Sequence, residues 1–282
     1  MQTALILFIY CHCPPRLEVG AQGLNALISV LKTDQTDSEI ISYVLETFSN
    51  IFCPDEFEEE IIPENQRDDF TGVGEGFSEM FLKSEENLPL LLEFLEEFDF
   101  KIRRPAISAL NYLLTNCPRT LQAQILNSHT GVSKLMDVLG ETREVLRNDA
   151  LIVLFKLTKG NSNIQKIVAF ENAFDKLMEI MEFEGWTDGG IVVEDCLRLL
   201  LNLLRNNPSN QTFFKEGSYI NRLLAALDIT STETAEYGWD AQKVSNMLHI
   251  LQLIRTLVAP SNPAQERLFI GIKKISGSVS FI

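Results

Sequence analysis

Residues 189–220, GGIVVEDCLRLLLNLLRNNPSNQTFFKEGSYI, constrain the fold more than any other stretch of the chain. Ile191–Asn206 predicts one long helix, apolar around most of its circumference. Such a helix must be covered on several sides, so it belongs inside a helical assembly. Pro208 stands where a second helix begins, and its missing N–H costs little in a first turn. Gly217 suits a left-handed helix stop, and a third helix is expected at Ile220–Leu227.

The same three-part pattern recurs on both sides. Lys134-Leu135-Met136, Lys176-Leu177-Met178 and Arg222-Leu223-Leu224 occupy matching places, at offsets of 42 and 46 residues. Gln165 and Gln211 match at the offset of 46, and Gly23 and Asn87 open similar units upstream. No alternating strand pattern of useful length appears. Repeats of this period, built of two or three helices, indicate the armadillo or HEAT class, in which each unit leaves an apolar face that only a neighbour covers. The expected fold is therefore all-α, a right-handed α-solenoid of about five repeats with a concave and a convex surface, incomplete at its C-terminal end.

The long helices Glu39–Phe52, Ile102–Asn116, Glu144–Thr158, Ile191–Asn206 and Ala241–Val258 are expected to be innermost. A helix is expected over Leu17–Leu31, another over Leu88–Phe98, and Asp37 or Ser38 is expected to cap the helix Glu39–Phe52. On Ile191–Asn206 the polar stripe is Glu194, Arg198, Asn202 and Asn206. Alignment of the long helices on their apolar residues gives a column of Asn50, Asn111, Lys156, Asn202 and Arg255. With Arg198 these are the candidate partner-binding residues, lining the concave face. Amide and cationic side chains there suit an extended peptide backbone or an acidic segment. The plainer reading is that they form the wet edge of each helix.

Pro54–Asp69 interrupts the pattern. Eight of its residues are acidic, and Gly72, Gly74 and Gly76 follow. Residues 54–76 read as a solvated acidic and glycine-rich loop, either a permissive insertion or a docking site for a basic partner. The formal net charge is −15, the wrong sign for nucleic acid or for direct binding to an anionic membrane. Five cysteines lie mostly in or beside apolar periodic runs, which suits reduced thiols and no disulfide framework. Asn210-Gln211-Thr212 is a formal glycosylation sequon. Three scattered histidines form no catalytic set, and Cys11-His12-Cys13 has no second ligand pair at zinc-site spacing. Gly72-Val73-Gly74-Glu75-Gly76 lacks the lysine of a phosphate loop. The sequence thus points to no enzyme, cofactor or metal.

The segments REVLRNDA (143–150), NIQKIVAFENAF (163–174), DGGIVVEDCL (188–197) and NQTFFKEGSYI (210–220) resemble the general vesicular transport factors, Golgi vesicle-tethering proteins related to yeast Uso. RLEVG (16–20), TDSEII (36–41), FLEEFDF (94–100) and the run from WDAQKV to LQLIRTLVAPSNP (239–263) carry the same resemblance, which covers 16–263 as the N-terminal part of the armadillo-like head. It implies docking of transport vesicles before fusion, in ER-to-Golgi and intra-Golgi traffic, with Rab GTPases, golgins, SNAREs and the COG complex as partners. It implies a cytoplasmic protein held on Golgi membranes through other proteins, and homodimers joined by a coiled coil. Residues 1–15, expected to be disordered, and 264–282 do not share the resemblance. No heptad run is present, so dimerisation is not expected of this chain, which reads as a fragment, splice product or partial gene model. A generic armadillo adaptor, binding extended peptides in its groove, is the alternative reading.

Overall fold

The computed structural model describes residues 14–33, 37–54, 72–128, 130–227 and 239–258. These residues form α-helices and one short 3₁₀ turn, with no strand among them. The helices are α1 (Pro14–Thr33), α2 (Ser38–Phe52), α3 (Val73–Leu82), α4 (Asn87–Glu93), α5 (Phe100–Asn116), α6 (Pro118–Asn127), α7 (Gly131–Leu139) and α8 (Glu144–Thr158). They continue with α9 (Ser162–Phe170), α10 (Ala173–Phe183), the 3₁₀ turn Trp186–Asp188, α11 (Ile191–Leu204), α12 (Pro208–Glu216), α13 (Tyr219–Ala225) and α14 (Ala241–Val258). The chain divides into two compact units, with the boundary inside α9 between Ile164 and Gln165.

In the first unit the long helices α2, α5 and α8 pack side by side, and the shorter helices cover their backs. Asp37 caps α2 by accepting from the backbone N–H groups of Glu39 and Ile40, at 2.9 and 3.3 Å. Asp99 caps α5 in the same way through Lys101 N–H at 2.9 Å. Phe48, Phe52 and Phe81 form a buried aromatic cluster, with Phe81 edge-on to both others at centroid distances of 5.4 and 5.2 Å.

In the second unit α11 packs between α10 and α14. Cys196, Leu197, Leu199, Leu200, Leu203 and Leu204 are fully buried, so the leucines of the longest apolar run are core. Truncating one of them to alanine costs about 2–5 kcal/mol. Phe174 meets Phe214 edge-on at 4.9 Å and Tyr219 at 5.5 Å, tying α10 to α12 and α13.

A repeated device closes the helix ends. The last carbonyls of a helix have no partner within it, and in a stack they are turned away from water. Side-chain amides supply the donors. Asn116 donates to Phe52 O, Gln124 to Leu82 O and Gln122 to Leu157 O, at 2.8, 2.7 and 2.8 Å. In the second unit Asn210 and Gln211 donate to Leu203 O and Leu204 O at 2.9 and 2.8 Å.

Several expectations change. The helix expected over Leu88–Phe98 stops at Glu93. Leaving the helical path lets Phe94 and Leu95 enter the core while Phe98 points outward and Asp99 takes its capping place. Gly217 has φ −74°, and the left-handed residue is Ser218, φ 62°. The glycine serves close packing instead: a Cβ there would lie 2.3 Å from the Tyr219 ring. Residues 73–76, expected in a loop, are the first turn of α3. The acidic part of that loop, 55–71, lies outside the described residues, as do residues 1–13 with Cys11-His12-Cys13, and 259–282. Helix α1 starts at Pro14, inside the segment expected to be unstructured. Asn206 lies past the end of α11 in a left-handed conformation, φ 56°.

Candidate functional site

In the first unit the site begins with a proline. Pro105 lies inside α5 and has no N–H, so the Lys101 carbonyl one turn earlier loses its helical donor. Ser42 of α2 supplies it, donating to Lys101 O at 3.0 Å. Ser49 donates to Pro105 O at 3.0 Å. These two bonds fix α2 against α5. Along the same contact lies a groove of about 350 Å³, lined by Glu46, Ser49, Asn50, Phe100, Lys101, Arg104, Pro105 and Ser108.

Asn50 therefore stands on the groove wall. Asn111 follows Ser108 by one turn of α5, half-buried, and its Oδ1 has no hydrogen-bond partner among the described residues. Lys156 of α8 reaches one turn further: its Nζ donates to Thr115 Oγ1 at 2.7 Å. Burial holds the Lys156 pKa below that of a free lysine. The three residues thus lie along the flank formed by α2, α5 and α8.

In the second unit Glu194 of α11 accepts from Gln242 Nε2 at 2.8 Å and Ser245 Oγ at 3.0 Å of α14. The Gln242 bond lowers the Glu194 pKa, against the opposing effect of burial, with Ser245, His249 and Arg198 adding to the lowering. Arg198, one turn on, is exposed and pairs with Asp195 at 3.4 Å. Asn202 follows, half-buried, on the same stripe. Arg255 is exposed on α14. The Glu194–Ser245 register sets Asn202 level with Leu253, and Arg255 lies two positions past it.

Sequence reasoning missed three contributors in the first unit: Phe98, Arg104 and Arg143. Phe98 is 89% exposed. The Arg143 guanidinium donates to its carbonyl from both terminal nitrogens, at 3.3 and 3.2 Å. Arg104 and Arg143 lie 5.8 and 5.9 Å from the Phe100 ring centroid. The signal was present in FDFKIRRP (98–105), a basic and aromatic run in an acidic chain.

Among the described residues no group of three or more His, Cys, Asp or Glu side chains is arranged to hold a metal. Among the described residues no helix is long and apolar enough to cross a membrane. Burial pushes the Cys117 thiol up to about 11, away from nucleophilic use.

Residues 236–268 match the family model for the armadillo tether-repeat of vesicular transport factor. The human general vesicular transport factor p115 is 52% identical over 248 residues, covering 88% of this chain and 25% of that protein. Golgin candidate 6 of Arabidopsis thaliana is 36% identical over 86% of this chain and 26% of its own length. The chain spans about a quarter of the length of these relatives. The crystal structure of Uso1-1 superposes with a TM-score of 0.80 at 28% identity, over 94% of this chain and 43% of that one. A designed armadillo repeat protein, solved with the peptide (KR)4, superposes at 0.64 with 14% identity, over 89% of this chain and 92% of that one, which bears on the fold alone. The fold is an armadillo-like α-solenoid, and over 88% of its length the chain belongs to the general vesicular transport factor family.

Proposed function

We propose that this chain is a non-enzymatic interaction module of a vesicle tether, acting in ER-to-Golgi and intra-Golgi transport to dock vesicles before membrane fusion. The observation that carries the reading is the 52% identity to a general vesicular transport factor along nearly the whole described fold. The structure adds a physical reason. The leucines of α11 are buried in the core, and the candidate residues on the long helices carry amide and cationic groups suited to protein partners. Those partners are Rab GTPases, golgins, SNAREs and the COG complex, which would hold the chain peripherally on Golgi and transport-vesicle membranes. Asn50, Asn111 and Lys156 in the first unit, and Arg198, Asn202 and Arg255 in the second, are the contact residues.

The test is replacement. Cells depleted of the endogenous tether receive a full-length family member whose corresponding segment is this chain. Restored vesicle docking and Golgi enrichment support the reading. Diffuse localisation with no docking, from a folded protein, sinks it. Asn202→Ala with Arg255→Ala should weaken capture of at least one of the named partners, and unchanged capture of all of them removes those two from the contact set.

A further inference from the structure

We propose that the groove between α2 and α5 docks a short acidic linear peptide carrying an aromatic residue, its carboxylates on Lys101 and Arg104 and its ring against Phe98 and Phe100. The inference rests on the interaction-module reading and specifies the chemistry of one of its surfaces.

Charge is the first argument. The chain has 39 acidic and 24 basic residues, so its general field repels an acidic ligand. The α5 start reverses this locally. Arg103 is taken up by Glu141. Lys101 and Arg104 are exposed, line the groove and, among the described residues, stand in no salt bridge. The nearby carboxylates have other roles. Asp99 is the α5 cap, and Glu141 is shared by Arg103 and Arg143. Asp149 lies half-buried on α8 within electrostatic reach of Arg104. Glu46 is the anionic member of the groove wall, opposite the two cations on α5.

Preorganisation is the second argument. An aromatic side chain that is 89% exposed is ordinarily a liability. Here the Phe98 backbone is held by two bonds from Arg143, and that guanidinium also faces Phe100. An exposed ring on an anchored backbone, beside positioned guanidinium groups, costs less entropy to order on binding than one on a loose segment. Fit is the third. A groove of about 350 Å³ accepts one large side chain and a stretch of backbone, and Ser108 and Asn50 provide polar contacts on its walls.

The experiment is fluorescence anisotropy with the full 282-residue chain and two fluorescein-labelled probes, EDEFWEDE and its basic counterpart KKKFWKKK. The acidic probe should bind, and the basic one should bind at least about tenfold more weakly, against the sign of the net charge. Arg104→Glu and Lys101→Glu should each weaken the acidic probe about tenfold or more, and Phe98→Ser severalfold. Rising salt should weaken it further. Lys166→Glu, at an exposed cation of the second unit outside the contact residues, should leave it within twofold. Both cations are exposed, so the variants keep the helical far-UV signal of the parent. Equal or tighter binding of the basic probe, or an Arg104→Glu affinity within twofold of the parent, overturns the proposal. Vesicle docking that is restored while the acidic probe fails to bind removes the groove and leaves the tether reading standing. Arg104-dependent peptide binding without docking does the reverse.

Discussion

The side-chain amide of Asn210 donates to the Gln165 carbonyl at 3.0 Å and to the Leu203 carbonyl at 2.9 Å. Asn207, in turn, donates to Gln165 Oε1 at 3.0 Å. Three buried polar residues thus close the ends of two successive helical layers, and Asn210 is only 2% exposed. Asn210→Ala removes both bonds and leaves the Leu203 carbonyl, at the end of α11, without its side-chain donor in a site too dry to rehydrate freely. The expected loss is about 2–4 kcal/mol of folding free energy, read as a lower urea midpoint at unchanged slope. The same geometry disposes of the sequon: with its amide nitrogen buried and used, Asn210 stays unmodified in the folded chain even in a glycosylating compartment. A glycan found on Asn210 of folded protein would contradict this placement.

Glu141 sits where Arg103 of α5 and Arg143 at the start of α8 converge. The Arg143 side-chain bond is the largest influence, followed by opposing burial and then the Arg143 and Thr142 N–H and hydroxyl contacts, and the carboxyl is lowered from 4.5 to about 2. A carboxyl that ionises more readily folded than unfolded stabilises the fold above its unfolded pKa, and this contribution disappears as pH falls through the folded value. The window is therefore about pH 4.5 down to about 2. Glu141→Gln should cost about 2–3 kcal/mol at neutral pH and make stability less dependent on pH within that window. Urea titrations of parent and variant at pH 7, 4 and 3 check it: the gap between the two curves should narrow with acid.

Gly20 of α1 lies against Phe77 of α3, and a Cβ at that position would stand 2.4 Å from the ring. An alanine should therefore lose more through collision than it gains in helix propensity, by about 1–3 kcal/mol. The relief should come from the other partner. Gly20→Ala combined with Phe77→Leu should be more stable than the sum of the two single changes allows, by at least about 0.5 kcal/mol. A double variant that is simply additive would show that the two residues do not meet.

The core was readable because its signal is local. Leu197, Leu200 and Leu204 repeat at helical spacing, and all three are fully buried. The amide caps were half-readable. Gln165 and Gln211 matched across units, but nothing local says that Gln211 serves Leu204 while Gln165 receives Asn207 and Asn210. The groove was not readable. It depends on Ser42 finding the carbonyl that Pro105 leaves open, a relation between residues far apart in the chain. The column that includes Asn50, Asn111 and Lys156 comes from aligning each helix on its own apolar residues. That procedure recovers the face of a helix but not its slide along a neighbour. The Lys156–Thr115 bond supplies the slide.

Lys156 provides the means of separating structure from function on that flank. Burial holds its pKa below the free value, so the folded state binds this proton more weakly than the unfolded state does. Unfolding then takes up a proton in the alkaline interval between the folded and unfolded values, and stability rises with pH through it. At neutral pH the charge is a cost that the single Thr115 bond at 2.7 Å offsets only in part. Lys156→Met keeps the stem and removes the charge, so it should change stability by less than about 1 kcal/mol, in the stabilising direction. It should also abolish the rise in stability above neutral pH attributed to this group, checked by chemical denaturation between pH 7 and 10. The same variant then reads out binding without a folding artefact. Loss of partner capture from a chain that is no less stable assigns Lys156 to the interface. Undiminished capture makes it the edge of a helix, held in place by Thr115.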